Sequence, residues 1–190
     1  MDALKERILR DGENLGRGIL KVDSFVNHQV DPALMLEAGR EMAAHFAGIG
    51  ATKVLTAEIS GIAPALTTAL ALGVPLLYAR KTKPVTMTDP VYVEAAPSHT
   101  KGVAVFLMCS PEFLTPDDRI LIIDDFLASG QTINALVRMV RHADAELVGI
   151  GALIEKSFEG GRAALEPLGI PLHALVAIEK MTDNQLIFAE

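Results

Sequence analysis

The stretch that most constrains this chain is residues 120–132, ILIIDDFLASGQT. Its first four residues are all apolar, as in a strand buried on both faces inside a parallel sheet. Two carboxylates, Asp124 and Asp125, follow where that strand is expected to end. Open α/β sheets collect their ligands there, at the carboxyl ends of strands. Ala128, Ser129, Gly130, Gln131 and Thr132 then form a turn, built mainly of small residues, that leads straight into a helical pattern. Backbone N–H groups converge at such a helix start, the helix dipole adds positive potential, and the Ser129 and Thr132 hydroxyls can donate. A single phosphate group fits this arrangement.

The two acids would repel that phosphate. They call for a group with donors, such as sugar hydroxyls, or for a divalent cation. Hydroxyls on one side and phosphate on the other describe a ribose 5-phosphate. The alternative is that Asp124 and Asp125 simply cap the following helix, which leaves two adjacent acids before an anion site unexplained. A P-loop would need a lysine before the final hydroxyl residue, and a dinucleotide fingerprint would need three spaced glycines; neither is present in the segment.

Around this segment the pattern alternates strand and helix. A helix is expected over residues 3–10, with Leu4, Ile8 and Leu9 on one side, and residues 19–27 read as a short extended segment and loop. Asp31 and Pro32 open the next helix, Asp as cap and Pro at the first helical position, with Leu34, Ala38, Met42 and Phe46 as its apolar stripe. Residues 53–57 form a strand, 63–72 a helix and 74–79 a strand. After residues 120–132 come a helix at 131–142, a buried strand at 147–154, a short helix at 161–168, and strands at 173–179 and 186–188. The fold class is α/β, a mostly parallel central sheet flanked by helices in one domain. A chain of 190 residues allows one domain with a real core.

Residues 80–118 break the alternation. They carry five of the ten prolines and no sustained helical period; residues 91–93 and 103–108 read as two strands of a hairpin. A long excursion of this kind is usually a lid or a binding loop. The alternative is a plain surface hairpin.

Half of the residues are apolar and 22% are charged, which excludes a disordered chain. The formal net charge of −7 argues against a nucleic-acid surface but not against small anionic substrates. The longest apolar runs are too short to span a bilayer, and the charged N-terminus lacks the apolar core of a signal peptide. One cysteine, Cys109, can form no internal disulfide, which suits a reducing cytoplasm. Cys109 reads as an ordinary structural residue, with a catalytic role as the alternative.

The segment DDFLASGQT resembles the signature of the type I phosphoribosyltransferases. The stretches GILKVDSFVNHQVDP, TAEISGIAPA, YARK and VGIGALIEKSFEGGR extend the resemblance over nearly the whole chain, toward the xanthine-using branch of that family. Gln131 stands where many relatives carry a second glycine, and it is shared with that branch. The resemblance implies a core at 31–155, a hood from 1–30 with 156–190, and a flexible flap at 82–118. It also implies that residues 128–132 bind the 5-phosphate of phosphoribosyl pyrophosphate, with Asp124 and Asp125 facing the ribose hydroxyls as catalytic groups. Glu58, Ile59, Ser60 and Gly61 would form the pyrophosphate loop, joined by Arg80 and by Lys81, the latter as a further catalytic group. Lys156 would donate to O6 of the purine, Phe158 would stack on the base, and Leu20 and Asn27 would contact it.

The expected reaction is phosphoribosyl transfer to xanthine, with Mg²⁺ held mainly through phosphoribosyl pyrophosphate, in a homodimer that binds neither nucleic acid nor membrane. Each role keeps a plainer alternative: an ordinary βα turn for residues 58–61, a solvated basic pair for Arg80 and Lys81, a strand-end residue for Lys156, core packing for Phe158, and a surface residue before a helix for Asn27. Guanine or hypoxanthine as substrate, a non-catalytic regulator that senses phosphoribosyl pyrophosphate, and a phosphate-binding domain of other chemistry are the competing functions. Lys156 argues against adenine, whose C6 bears a donor amine.

Overall fold

A computed structural model describes residues 1–97, 104–182 and 185–189. The middle of the expected flap, residues 98–103, lies outside the described residues, and so does Val103 of the expected hairpin.

Helix α1 (Asp2–Asp11) buries Leu4 and Ile8 and ends at Gly12. Two short strands, β1 (Glu13–Asn14) and β2 (Leu20–Lys21), pair antiparallel. The loop expected near residue 27 is instead a π-helical turn, Asp23–Asn27, tightened by burial of Phe25 and Val26. Helix α2 (Pro32–His45) starts as expected: the Asp31 carboxylate accepts from Ala33 and Leu34 N–H, each at 3.1 Å. Its stripe of Leu34, Ala38, Met42 and Phe46 is buried.

The central sheet begins with β3 (Lys53–Ala57), followed by α3 (Ile62–Leu72) and β4 (Leu76–Ala79). A hairpin of β5 (Tyr92–Pro97) and β6 (Ala104–Cys109) follows, paired antiparallel. Then come β7 (Arg119–Leu127), α4 (Gln131–His142), β8 (Glu146–Lys156), α5 (Gly161–Leu165), β9 (Leu172–Thr182) and β10 (Gln185–Phe188). The strand order is β10-β9-β8-β7-β3-β4, parallel throughout except for the β10 edge.

Strand β7 lies in the middle, and its alternation explains its wholly apolar sequence. Leu121 and Ile123 pack with α1, α2 and α3 on one face; Ile120 and Ile122 pack with α4 and the β5–β6 hairpin on the other. A strand covered on both faces has no solvated side to mark with polar residues. The hairpin is fastened to α4: Glu94 pairs with Arg138 Nε at 2.8 Å and with His142 Nδ1 at 2.9 Å.

One expected boundary is corrected. Asp124 and Asp125 do not follow the end of the strand; they lie within it, because β7 continues to Leu127. The neighbouring β8 runs alongside and pairs Phe126 with Ile154 and Leu127 with Glu155, extending the ladder past the acids. The expected position at the sheet's carboxyl edge still holds.

Candidate active site

The chain leaves β3 outward toward β4 on one side, and β7 leads to β8 and β9 on the other. The gap between β3 and β7 is therefore the switch point of the sheet, where the loops after neighbouring strands diverge and leave a crevice. The loop after β3 carries Glu58 to Gly61, and the loop after β7 carries Ala128 to Gly130. Gly61 lets the two sides close up: a Cβ there would stand 2.2 Å from Thr56 Oγ1 and 2.7 Å from Asp124 Oδ1.

A cavity of about 260 Å³ opens on this edge, lined by Lys81, Phe126, the stretch from Ala128 to Ile133, and apolar residues of the hairpin. All five residues of the expected phosphate loop face it. Gly130 takes the left-handed conformation (φ +76°) and accepts from Asn134 N–H at 2.8 Å as α4 begins. Gln131 is already the first helical residue, so the loop needs no glycine there.

Asp124 is buried and Asp125 half-buried. The Asp125 N–H donates to Asp124 Oδ1 at 3.0 Å. Burial, with the neighbouring Asp125 charge, pushes the Asp124 carboxyl well above its ordinary value; burial also raises Asp125. Lys81 lies close enough to both to draw them partly back down. These carboxylates are thus short of positive charge and of donors, which fits a partner bringing hydroxyls or a cation. Among the described residues no group of three or more His, Cys, Asp or Glu side chains converges on a metal position.

The loop after β3 is held by side chains as well as backbone. Glu58 accepts from Lys81 N–H at 2.6 Å and pairs with Arg80 Nε at 2.8 Å. The peptide between Glu58 and Ile59 is cis, and Ile59 is 72% exposed.

Lys156 is the last residue of β8, so it stands at the same carboxyl edge. Its ammonium donates to the Gly18 carbonyl at 2.7 Å, pairs with Glu159 at 3.2 Å, and lies 5.2 Å from the centre of the Phe126 ring. Phe158 is 43% exposed, so it is not a core residue, and its ring lies beside Gly18, where an added Cβ would stand 3.4 Å from it. Leu20, the first residue of β2, is buried in the core. Asn27 closes the π-helical turn with its side-chain oxygen buried and, among the described residues, unpaired. A buried amide without a partner is costly to leave so.

Two contributors were not foreseen from sequence. Phe126 lines the cavity and lies under Lys156, and the signal that could have found it is its place directly after the acids. Glu155 is buried in an ion pair with Arg162 (2.5 Å), and a charge inside the apolar run of β8 was its signal. Cys109 is buried, its thiol pushed up to about 12 by that burial, which leaves it a structural residue.

A family model, "Phosphoribosyl transferase domain", matches residues 35–163. The chain belongs to the phosphoribosyltransferase family. Among curated relatives, a xanthine phosphoribosyltransferase of Deinococcus deserti is 49% identical over 190 residues, covering all of this chain and 98% of the relative. One from Lactobacillus delbrueckii subsp. bulgaricus is 48% identical, covering 99% of this chain and 100% of the relative. Among solved structures, an adenine phosphoribosyltransferase of Giardia lamblia superposes with a TM-score of 0.76 at 20% identity, covering 93% of this chain and 98% of that one. That of Thermoanaerobacter pseudethanolicus gives 0.72 at 22% identity, covering 92% and 99%. At these identities the structural likeness speaks for the fold. The mostly parallel sheet expected from the strand–helix alternation is the phosphoribosyltransferase sheet.

Proposed function

We propose that this phosphoribosyltransferase transfers the 5-phosphoribosyl group from phosphoribosyl pyrophosphate to xanthine, giving xanthosine 5'-monophosphate and pyrophosphate. One observation carries the reading. The phosphate-type loop, the acid pair, Lys81 and Lys156 share one edge of the sheet, in a chain whose full-length relatives bear the name xanthine phosphoribosyltransferase.

In this reading residues 128–132 hold the 5-phosphate through backbone N–H groups and hydroxyls. Asp124 and Asp125 accept from the ribose hydroxyls and stand beside the anomeric carbon as it gains positive character. Glu58, Ile59, Ser60, Gly61, Arg80 and Lys81 receive the departing pyrophosphate. The protein supplies no nucleophile; it aligns two substrates and neutralises a leaving group. Mg²⁺, held mainly through phosphoribosyl pyrophosphate, would add charge neutralisation there.

Lys156 donates to the purine O6, and its present partner, the Gly18 carbonyl, yields to the base. Phe158 packs on the ring. Leu20 underlies the base pocket, and the Asn27 amide meets the C2 carbonyl that distinguishes xanthine. Which amide atom faces the base follows from the partner, since the two ends are interchangeable. Segment 82–118 serves as the flap that excludes water, and segments 1–30 and 156–190 form the hood over core 31–155.

The exposed apolar side chains of Ile59, Leu66 and Leu70 suit a homodimer, Leu66 and Leu70 lying one turn apart on α3. No described helix is long and apolar enough to cross a membrane. A single buried cysteine suits a reducing compartment such as the cytoplasm.

The test is incubation with phosphoribosyl pyrophosphate, Mg²⁺ and each purine base in turn. Pyrophosphate release should be fastest with xanthine. Absence of turnover with every base would sink the enzyme reading, and a preference for guanine or hypoxanthine would replace xanthine.

A further inference from the structure

The loop after β7 and the turn after β8 meet through bare backbone. Gly161 N–H donates to the Ala128 carbonyl at 2.9 Å. A Cβ at Gly161 would stand 2.2 Å from that oxygen and 2.9 Å from Gly130 N; a Cβ at Gly130 would stand 3.3 Å from Gly161 Cα. Gly161 does not sit in the left-handed region, so closeness rather than conformation excludes a side chain there.

Its neighbour Arg162 completes the junction. The guanidinium Nε donates to both Glu155 oxygens at 2.9 and 3.1 Å, Nη2 donates to Glu155 at 2.5 Å, and Nη1 donates to the Leu172 carbonyl at 3.3 Å. Ser157 Oγ also reaches Glu155 at 3.3 Å. Glu155 is buried and lies opposite Leu127 in the β7–β8 register, one residue before the loop that follows β7. The ion pair therefore closes residues 155–162 into a ring containing Lys156 and Phe158. The far end of that ring rests on the loop at Ala128 and Gly130. A buried carboxylate ties the ring tightly, because it has no solvent to turn to if the guanidinium leaves.

We propose that Arg162, acting through Glu155, and Gly161 are positioning residues that hold the base-binding turn and the sugar-phosphate loop as one rigid piece. They set the spacing between the base and the 5-phosphate. This rests on the roles given to the two loops under the proposed function. Each loop binds its own substrate, so loosening the junction leaves binding largely intact. Alignment suffers instead, and a misplacement of about 1 Å can cost on the order of a hundredfold in rate.

The test is steady-state kinetics of wild type, Arg162→Lys and Gly161→Ala, with both substrates varied and folding followed by circular dichroism. Arg162→Lys keeps the charge beside Glu155 but loses the planar fork. Gly161→Ala pushes the two loops apart directly. Both are expected to lower kcat about tenfold or more, with each KM within about threefold of wild type. Arg162→Lys with wild-type kcat overturns the proposal, as does an unchanged kcat with one raised KM. If Arg162→Lys does not fold, Gly161→Ala decides by the same split. Loss of folding in both overturns it too, since the junction would then be a stability element alone. A wild type that turns over no base overturns the functional reading with this one. Normal wild-type turnover beside an unaffected Arg162→Lys overturns this one alone.

Discussion

The carboxylate of Glu58 accepts a hydrogen bond from the backbone N–H of Lys81 at 2.6 Å, tying the loop after β3 to the chain leaving β4. The same carboxylate pairs with Arg80. Glu58→Ala frees both, and kcat/KM for phosphoribosyl pyrophosphate should fall about tenfold, the scale of one hydrogen bond to a charged group. Glu58→Gln keeps an acceptor for Lys81 N–H and should lose less. Initial rates at varied phosphoribosyl pyrophosphate separate the two.

Asp124 trades stability for function. Its carboxyl is raised in the folded protein by burial and by Asp125, so the folded state binds the proton more tightly than the unfolded chain does. The folded form therefore carries a penalty at neutral pH, which is relieved as pH falls toward the ordinary carboxyl range. Asp124→Asn should raise Tm of the ligand-free protein at pH 7 by roughly 2–8 °C while lowering kcat/KM at least about a hundredfold. A melting curve and a rate assay on the same sample check both. A lower Tm would contradict the electrostatic account.

Asn27 should govern the choice at C2 of the purine. Among the described residues its buried amide oxygen has no partner, and the amide turned about would offer its N–H to the C2 carbonyl of xanthine. Asn27→Ala should cut the preference for xanthine over guanine by roughly tenfold, read as a ratio of kcat/KM values. An unchanged ratio would remove Asn27 from the specificity argument.

His173 stacks on His45 with ring centres 3.6 Å apart. Burial first, and the neighbouring His45 second, hold its pKa below the ordinary histidine value. The unfolded chain takes up this proton more readily, so stability is retained above about pH 6.5 and declines as pH drops below it. Asp124 acts in the opposite sense, so the check is a comparison: His173→Gln should raise Tm at about pH 5 relative to its value at about pH 8, measured against the same pair of Tm values for wild type.

Cys109 should ignore thiol reagents at neutral pH until the protein unfolds, since its buried thiol is pushed up to about 12. Cys109→Ser should retain turnover. Labelling by maleimide with and without denaturant is the direct check.

What could be read from the sequence was local. The Asp31–Pro32 helix start, the α4 limits and the sequence of strand, acids and turn at residues 120–132 depend on neighbours within a few positions. The strand–helix alternation then dictated a mostly parallel sheet. Where β7 ends was not legible, because β8 extends it through pairs about 28 residues away in sequence. The Glu58–Lys81 bond and the Glu155–Arg162 pair were hidden for related reasons: Glu58 and Lys81 are 23 residues apart, and Glu155 and Arg162 meet only because the turn between them folds back. Asn27 was singled out through resemblance, and only the packing of the π-helical turn reveals its unpaired oxygen.

The contact between Gly130 and Gly161 also bears on how such a chain can change its diet. A side chain at Gly161 would run into the Ala128 carbonyl and Gly130 N, and one at Gly130 would crowd Gly161 on a left-handed backbone, so the two loops are a linked inheritance. An exchange that brings in a foreign base turn, stopping short of Gly161, keeps the native footing. One that runs through it must carry residues 128–132 across as well.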